Sequence, residues 1–217
     1  MAKKFTVSGQ HYLFSVQAFA HTVLAGGGVE YSYAFRNGTT RSVIEDVYSG
    51  RSHLGVIFET TENADELNHT LEESGLEFTP IISSKPYVAL PASHPLSNAA
   101  SLRIEDLEDY PYVYFEQEKG DSYAFYEEAL ANVPRTKRIA TTDRASLTEL
   151  ICAVNGYTIT SGILVGITDG SLLQTLPLET DVTLKLGYIA RRGEQIEGLS
   201  KVFVDSLTKN LSRYVQF

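Results

Sequence analysis

Four short polar stretches hold the side chains that could do chemistry: Ser8-Gly9-Gln10, Thr39-Thr40, Glu116-Gln117 running on to Asp121-Ser122, and Thr141-Thr142-Asp143-Arg144. Each stands where an apolar strand-like run gives way to a helix-period run. A helix N-terminus there would present unpaired N–H groups and a partial positive charge, which suits a small anionic ligand. Ser, Thr and Asp are also the favoured N-cap residues, so each stretch taken alone reads equally as a cap. Gly9 would let a ligand approach the backbone, and Gln10 offers a donor and an acceptor. Arg144 can fork onto a carboxylate, or pair with Asp143 or Glu149.

Other chemistries find little footing. His11, His21, His53, His69 and His94 form no pair at metal-ligand spacing, so no metal is expected. Gly26-Gly27-Gly28 follows a helix and reads as its stop, not as a phosphate loop. There is no Gly-x-Ser-x-Gly elbow and no dinucleotide fingerprint, so no cofactor is expected. No matched acid and base stands near the polar junctions, which argues against catalysis. Cys152 lies in the apolar run Leu150 to Val154 and reads as a buried small hydrophobe.

The elements that must position these groups alternate. Phe5-Thr6-Val7 opens as a strand, and Gln10 to Ala25 carries Leu13, Val16, Ala20 and Leu24 at the spacing of one helix face. Val29, Tyr31, Tyr33 and Phe35 alternate with polar residues as in a half-buried strand, Val43, Ile44 and Val47 mark a helix, and Leu54 to Phe58 a buried strand. A helix over Ala64–Ser74 and a strand over Leu76–Ile82 follow. The pattern then restarts: strand Tyr112–Phe115, helix Asp121–Ala131, strand Lys137–Thr141, helix Ala145–Asn155, strands Tyr157–Thr160, Leu173–Leu178 and Leu184–Ala190, and a closing helix from about Gln195 to Tyr214. Strands alternating with helices predict an α/β protein with parallel sheets covered on both faces.

With 217 residues, 43% hydrophobic and 21% charged, the chain can bury a real core. Its net charge of -9 disfavours phosphate-backbone binding, which is built on Lys and Arg displacing counterions. Met1-Ala2-Lys3-Lys4 is too short for a signal peptide and no run is long enough to span a membrane, so a cytoplasmic protein is expected.

The run Pro86-Tyr87-Val88-Ala89-Leu90-Pro91-Ala92-Ser93-His94-Pro95-Leu96, then Leu102-Arg103-Ile104-Glu105-Asp106-Leu107 and Tyr112-Val113-Tyr114-Phe115, resembles the effector-binding half of LysR-type transcriptional regulators. There a strand leads into a Leu-Pro-x-x-His-Pro-Leu turn, a short helix and the first strand of a second lobe. Asn155-Gly156-Tyr157-Thr158-Ile159-Thr160-Ser161-Gly162-Ile163 and Phe115-Glu116-Gln117 are similar to segments in a subset of that family.

The resemblance implies a two-lobed fold of the type II periplasmic-binding-protein kind, two Rossmann-like lobes joined by two crossing strands. Residues 1–84 and 187–217 would form lobe I and residues 85–186 lobe II. It implies a small-molecule effector in the cleft, with Ser8 and Thr39 or Thr40 at the positions such domains commonly use to hold it; beside these, the residues' own chemistry puts forward Gly9, Gln10 and, from the lobe II side, Arg144, with Gln117 and Ser161 as further cleft-lining groups. It also implies a winged helix-turn-helix as DNA reader, which nothing in these residues resembles, so DNA contact is expected only through a domain outside this chain. A small-acid dehydratase or transferase, or a solute-binding protein, on the same fold are the rival readings. Family effector domains pair head to tail, which here would set the helix Gln10–Ala25 and strand Val29–Arg36 of one copy against the helix Ala145–Asn155 of the other. Phe14, Phe19 and Val23 are the apolar residues expected to serve that contact, and a charge at Phe19 is expected to break it.

Overall fold

The computed structural model describes residues 3–27, 29–165 and 172–213. Its contacts divide the chain into two units, one of residues 1–59, 63–83 and 185–217, the other of residues 60–62 and 84–184.

The first unit is a five-stranded sheet in the order β2-β1-β3-β10-β4, covered by helices. β1 (Lys3–Gly9) pairs in parallel with β2 (Tyr31–Asn37) and β3 (Leu54–Thr60). α1 (Leu13–Gly26) joins β1 to β2, α2 (Thr40–Tyr48) joins β2 to β3, and α3 (Ala64–Glu73) precedes β4 (Leu76–Ser84). Near the C-terminus β10 (Leu184–Arg191) leads to α5 (Gly198–Ser212); Tyr214, the expected helix end, lies outside the described residues. Phe5 centres this core. Its ring meets Phe19 at 6.2 Å, Tyr33 at 6.3 Å and Phe203 at 6.4 Å.

Two expectations are corrected here. The buried face of α1 is Phe14, Ser15, Ala18 and Thr22, not Leu13, Val16, Ala20 and Leu24; Leu24 is 82% exposed. Both sets have helical spacing, and the choice falls to the one that seats Phe14 on Tyr12 (5.0 Å) and lets the buried Thr22 hydroxyl donate to the Ala18 carbonyl. Phe19 also faces inward, stacked on Phe5 and 5.5 Å from Phe35, so a charge there would strike the core. The second correction concerns β2, an edge strand whose seven residues are all exposed or only partly buried. An edge strand has no second neighbour to cover it, and alternation alone does not distinguish it from a half-buried one.

The second unit holds an antiparallel sheet of β8 (Thr158–Thr160), β5 (Tyr87–Pro91) and β9 (Leu173–Pro177), and a parallel pair of β6 (Tyr112–Phe115) and β7 (Arg138–Thr141). α4 (Arg144–Val154) packs Leu147 and Ile151 onto Val113 and Phe115. Cys152 is exposed, one step around the helix from buried Ile151, and not the buried hydrophobe expected. His94 closes the Pro91–Leu96 turn: it is buried, its Nδ1 accepts the Leu96 N–H at 3.1 Å, and its ring lies 4.3 Å from that of Tyr110.

The helix expected over Asp121–Ala131 does not form. A single 3-10 turn at Tyr123–Phe125 is followed by irregular chain in which Glu127, Glu128 and Ala129 are buried consecutively. A surface helix cannot bury three successive positions, and Leu130 then takes φ 58°, outside the right-handed region. The alternative face of α1 gives the first test. Phe14→Ala should cost about 3–5 kcal/mol in urea unfolding, whereas Leu24→Ser should stay within about 0.5 kcal/mol.

Candidate functional site

In the first unit, β1 and α2 bring Gln10 and Thr40 together. Both are buried, and Gln10 Nε2 donates to Thr40 Oγ1 at 2.5 Å while Gln10 Oε1 accepts the Phe58 N–H at 3.0 Å. The carboxamide therefore ties the ends of β1 and β3 to the first turn of α2. Thr39 is the N-cap of that helix, its Oγ1 accepting from Ser42 N at 3.2 Å. The Thr40 hydroxyl accepts from Gln10 and keeps its own proton to donate. Helix geometry leaves the first-turn amides of α2 without intrahelical acceptors.

Ser8 is engaged differently. Its buried hydroxyl donates to Asp46 Oδ2 at 2.6 Å and lies 2.7 Å from Ser52 Oγ, and Arg51 Nε pairs with Asp46 Oδ1 at 2.9 Å. These contacts fasten β1 to α2 and the loop behind it. At Gly9 an added Cβ would stand 3.3 Å from the Phe35 ring, so close packing within the sheet is itself a reason for glycine.

In the second unit, Gln117 and Arg144 gather around Phe115, the last residue of β6. Gln117 Nε2 donates to the Phe115 carbonyl at 3.2 Å, and the Arg144 guanidinium sits 5.3 Å above the Phe115 ring centroid. Asp143 caps α4 by accepting from Ser146 N at 2.9 Å. Ser161 is buried just beyond β8, and its Oγ accepts the Ile163 N–H at 3.4 Å; among the described residues it makes no hydrogen bond to Gln117 or Arg144.

Sequence reasoning missed Glu128, the fourth member of this group. Its Oε1 accepts the Phe115 N–H at 2.8 Å, with the residue 4% exposed. In an extended strand the N–H and C=O of one residue leave on the same side, so Glu128 and Gln117 flank one stretch of β6. Burial, then the neighbouring Glu127 charge, pushes the Glu128 carboxyl up to about 8, against the opposing pull of the Phe115 N–H and Arg144. The shift is toward the protonated acid. The only sequence signal was two adjacent glutamates in a segment otherwise read as an amphipathic helix. Among the described residues, no three His, Cys, Asp or Glu side chains converge on a metal position.

Residues 30–212 match the family model described as the LysR substrate binding domain. The chain belongs to the LysR substrate-binding domain family. Solved structures of that family share its fold. The effector binding domain of QuiR in complex with shikimate is 18% identical with a TM-score of 0.65, each chain covered in full. HinK, a LysR family transcriptional regulator from Pseudomonas aeruginosa, is 19% identical with a TM-score of 0.66 over 99% of this chain and 72% of that one. The effector binding domain of a BenM variant is 14% identical with a TM-score of 0.65 over 97% and 95%. No curated protein matches the chain. The α/β fold is thus that of LysR effector domains, related to type II periplasmic binding proteins, and no helix among the described residues is long and apolar enough to cross a membrane.

Glu128 makes this LysR domain pH-sensitive in a defined direction. A carboxyl that ionises at about 8 when folded and near 4.5 when unfolded holds its proton longer in the native state. Stability should therefore fall as pH rises through that window, by at most about 1.4 kcal/mol per pH unit, and level off above it. Glu128→Gln keeps the acceptor for Phe115 N–H and should flatten the dependence, as read from urea midpoints between about pH 5 and about pH 8.

Proposed function

We propose that this LysR domain is a cytoplasmic sensor of a small anionic metabolite, acting by binding without chemistry. In this reading Ser8, Gly9, Gln10, Thr39 and Thr40 of lobe I (residues 1–84 and 187–217) and Gln117, Arg144 and Ser161 of lobe II (residues 85–186) form the effector-binding set. Within it, Gln10, Thr40, Gln117 and Arg144 are the principal contacts, and Ser8 acts by holding α2 through Asp46.

The observation that carries the anionic preference is Arg144. It occupies the first turn of α4, where the helix dipole disfavours a cation, in a chain of net charge -9. A guanidinium positioned there, over the Phe115 ring, is suited to fork onto a carboxylate. An effector bound there would favour one arrangement of the domain over another and so bias its output.

A screen of small metabolic acids by thermal shift, followed by calorimetry, identifies the effector. Arg144→Ala should then weaken it about tenfold or more, as the loss of a charge-assisted bond of about 1.5–3 kcal/mol requires, with the melting transition retained. Unchanged affinity would remove Arg144 from the site.

The domain is also read as a homodimer, pairing α1 and β2 of one copy with α4 of the other. Support comes from exposed apolar side chains on and beside those elements: Leu24 on α1, Tyr31 on β2 and Val29 in the connection between them, with Val154 and Cys152 on α4. Leu24→Asp should yield a folded monomer by light scattering at micromolar concentration. A monomer before substitution would contradict this pairing.

A further inference from the structure

Glu128 and Arg144 have Phe115 as a common contact. Glu128 Oε1 accepts the Phe115 N–H at 2.8 Å, and the Arg144 guanidinium stands 5.3 Å above the Phe115 ring centroid. Glu128 is buried, and its second oxygen, Oε2, is shielded from water with no hydrogen-bond partner among the described residues. Ionisation would therefore place a charge where neither water nor a second donor stabilises it, which costs more than leaving one oxygen of a neutral acid unbonded. A carboxyl held in this way responds strongly to the charges around it.

Those charges come from three elements. Glu127, adjacent in the chain and also buried, opposes ionisation of Glu128, whereas the Phe115 N–H and Arg144 at the start of α4 favour it. Burial outweighs the favourable groups and pushes the carboxyl up to about 8. On β6, the Tyr112 phenol is raised well above its ordinary value, first by burial and then by Glu128, so it stays neutral where Glu128 titrates. Arg135 and Arg138 act on that phenol, their guanidinium groups lying 4.1 Å and 4.5 Å from the Tyr112 and Tyr114 ring centroids. Asp143, beside Arg144, accepts from Ser146 N. Arg144 is thus the cation whose field reaches the Glu128 carboxyl, and it is also the group placed to meet a carboxylate ligand.

We infer that Glu128 and Arg144 form a proton-linked pair: whatever neutralises the guanidinium, a bound carboxylate included, makes Glu128 take up a proton, and binding at Arg144 in turn weakens as Glu128 ionises. The second half follows from the first, because coupling between two bound species, here a proton and an anion, is reciprocal. Glu128 touches no ligand, since its free oxygen is enclosed; it acts through the charge of Arg144. The regulatory consequence rests on Arg144 being the effector contact proposed above, while the linkage between the two side chains does not. With that contact, the same concentration of a metabolic acid fills the site more fully below the Glu128 transition than above it.

Carbon NMR spectra of the chain isotopically labelled at its glutamate carboxyls, recorded from about pH 5 to about pH 10, follow Glu128 directly, with Glu128→Gln identifying its signal. The midpoint should lie at about 8. Arg144→Gln removes the positive charge that a bound carboxylate would neutralise, and should raise the midpoint by about half a pH unit or more. Arg144→Lys keeps the charge and should restore most of the difference, and Glu127→Gln should move the midpoint down. Arg144→Met is the second neutral variant should Arg144→Gln fail to fold. A Glu128 midpoint in the ordinary carboxylate range, one that the neutral variants leave in place or lower, or one that Arg144→Lys moves as far as they do would each overturn the linkage. An effector whose affinity ignores Arg144→Ala, with the midpoint still raised by Arg144→Gln, would remove the sensor reading and leave the linkage standing; the reverse pair of results would remove the linkage alone.

Discussion

The hydrogen bond from Phe115 N–H to Glu128 governs much of the second unit. β6 begins against Tyr157, with Val113 N donating to the Tyr157 carbonyl at 2.8 Å, but β8 then turns to pair with β5. Two residues on, the same side of β6 has no strand to meet. A buried N–H and C=O left open there would be expensive, and side chains close them instead, Glu128 taking the amide and Gln117 the carbonyl. Drawing Glu128 inward commits residues 123–130 to an irregular path, puts a carboxyl where water cannot stabilise its charge, and places the Phe115 ring under Arg144. Strand end, buried acid and the cation over the Phe115 ring are consequences of one unpaired segment of ladder.

The first unit solves a similar problem with amides. Gln10 replaces a strand neighbour by bonding the Phe58 N–H, and reaches Thr40 with its other end. The two units thus share a logic in which polar side chains at strand ends complete the backbone's hydrogen bonding and are fixed by doing so. Side chains immobilised in this way are suited to recognition, because little further rotamer entropy is lost when a ligand arrives. Ser8 marks the limit of the analogy: its bonds to Asp46 and Ser52 keep it inside the scaffold.

Arg135 and Arg144 occupy opposite ends of the same strand pair and differ in how they are held. Arg135 is pinned by two carbonyls, a phenol and a ring, and contributes to the irregular 130–135 turn. Arg144 stands on a helix whose cap is Asp143. The contrast explains why an arginine in an unremarkable loop segment, Asn132-Val133-Pro134-Arg135, carried no signal in the sequence: its partners are carbonyls and rings, which have no pattern of their own.

By itself the sequence determined the alternation of strands and helices, the buried strands Leu54–Thr60 and Tyr112–Phe115, and the family, because strand hydrophobicity and the Pro-x-x-His-Pro turn are local properties of the chain. The caps at Thr39 and Asp143 were legible for the same reason. The tertiary structure decided what local pattern leaves degenerate. α1 carries two apolar stripes of equal period, and only its seat on the first unit's core selects Phe14 and Ala18 over Val16 and Leu24. Likewise Cys152 follows its helix phase outward, and residues 121–131, helical by composition, give up their helix because a distant strand end needs Glu128. Those choices depend on hydrogen bonds and contacts between residues far apart in the chain, which no window along the sequence contains.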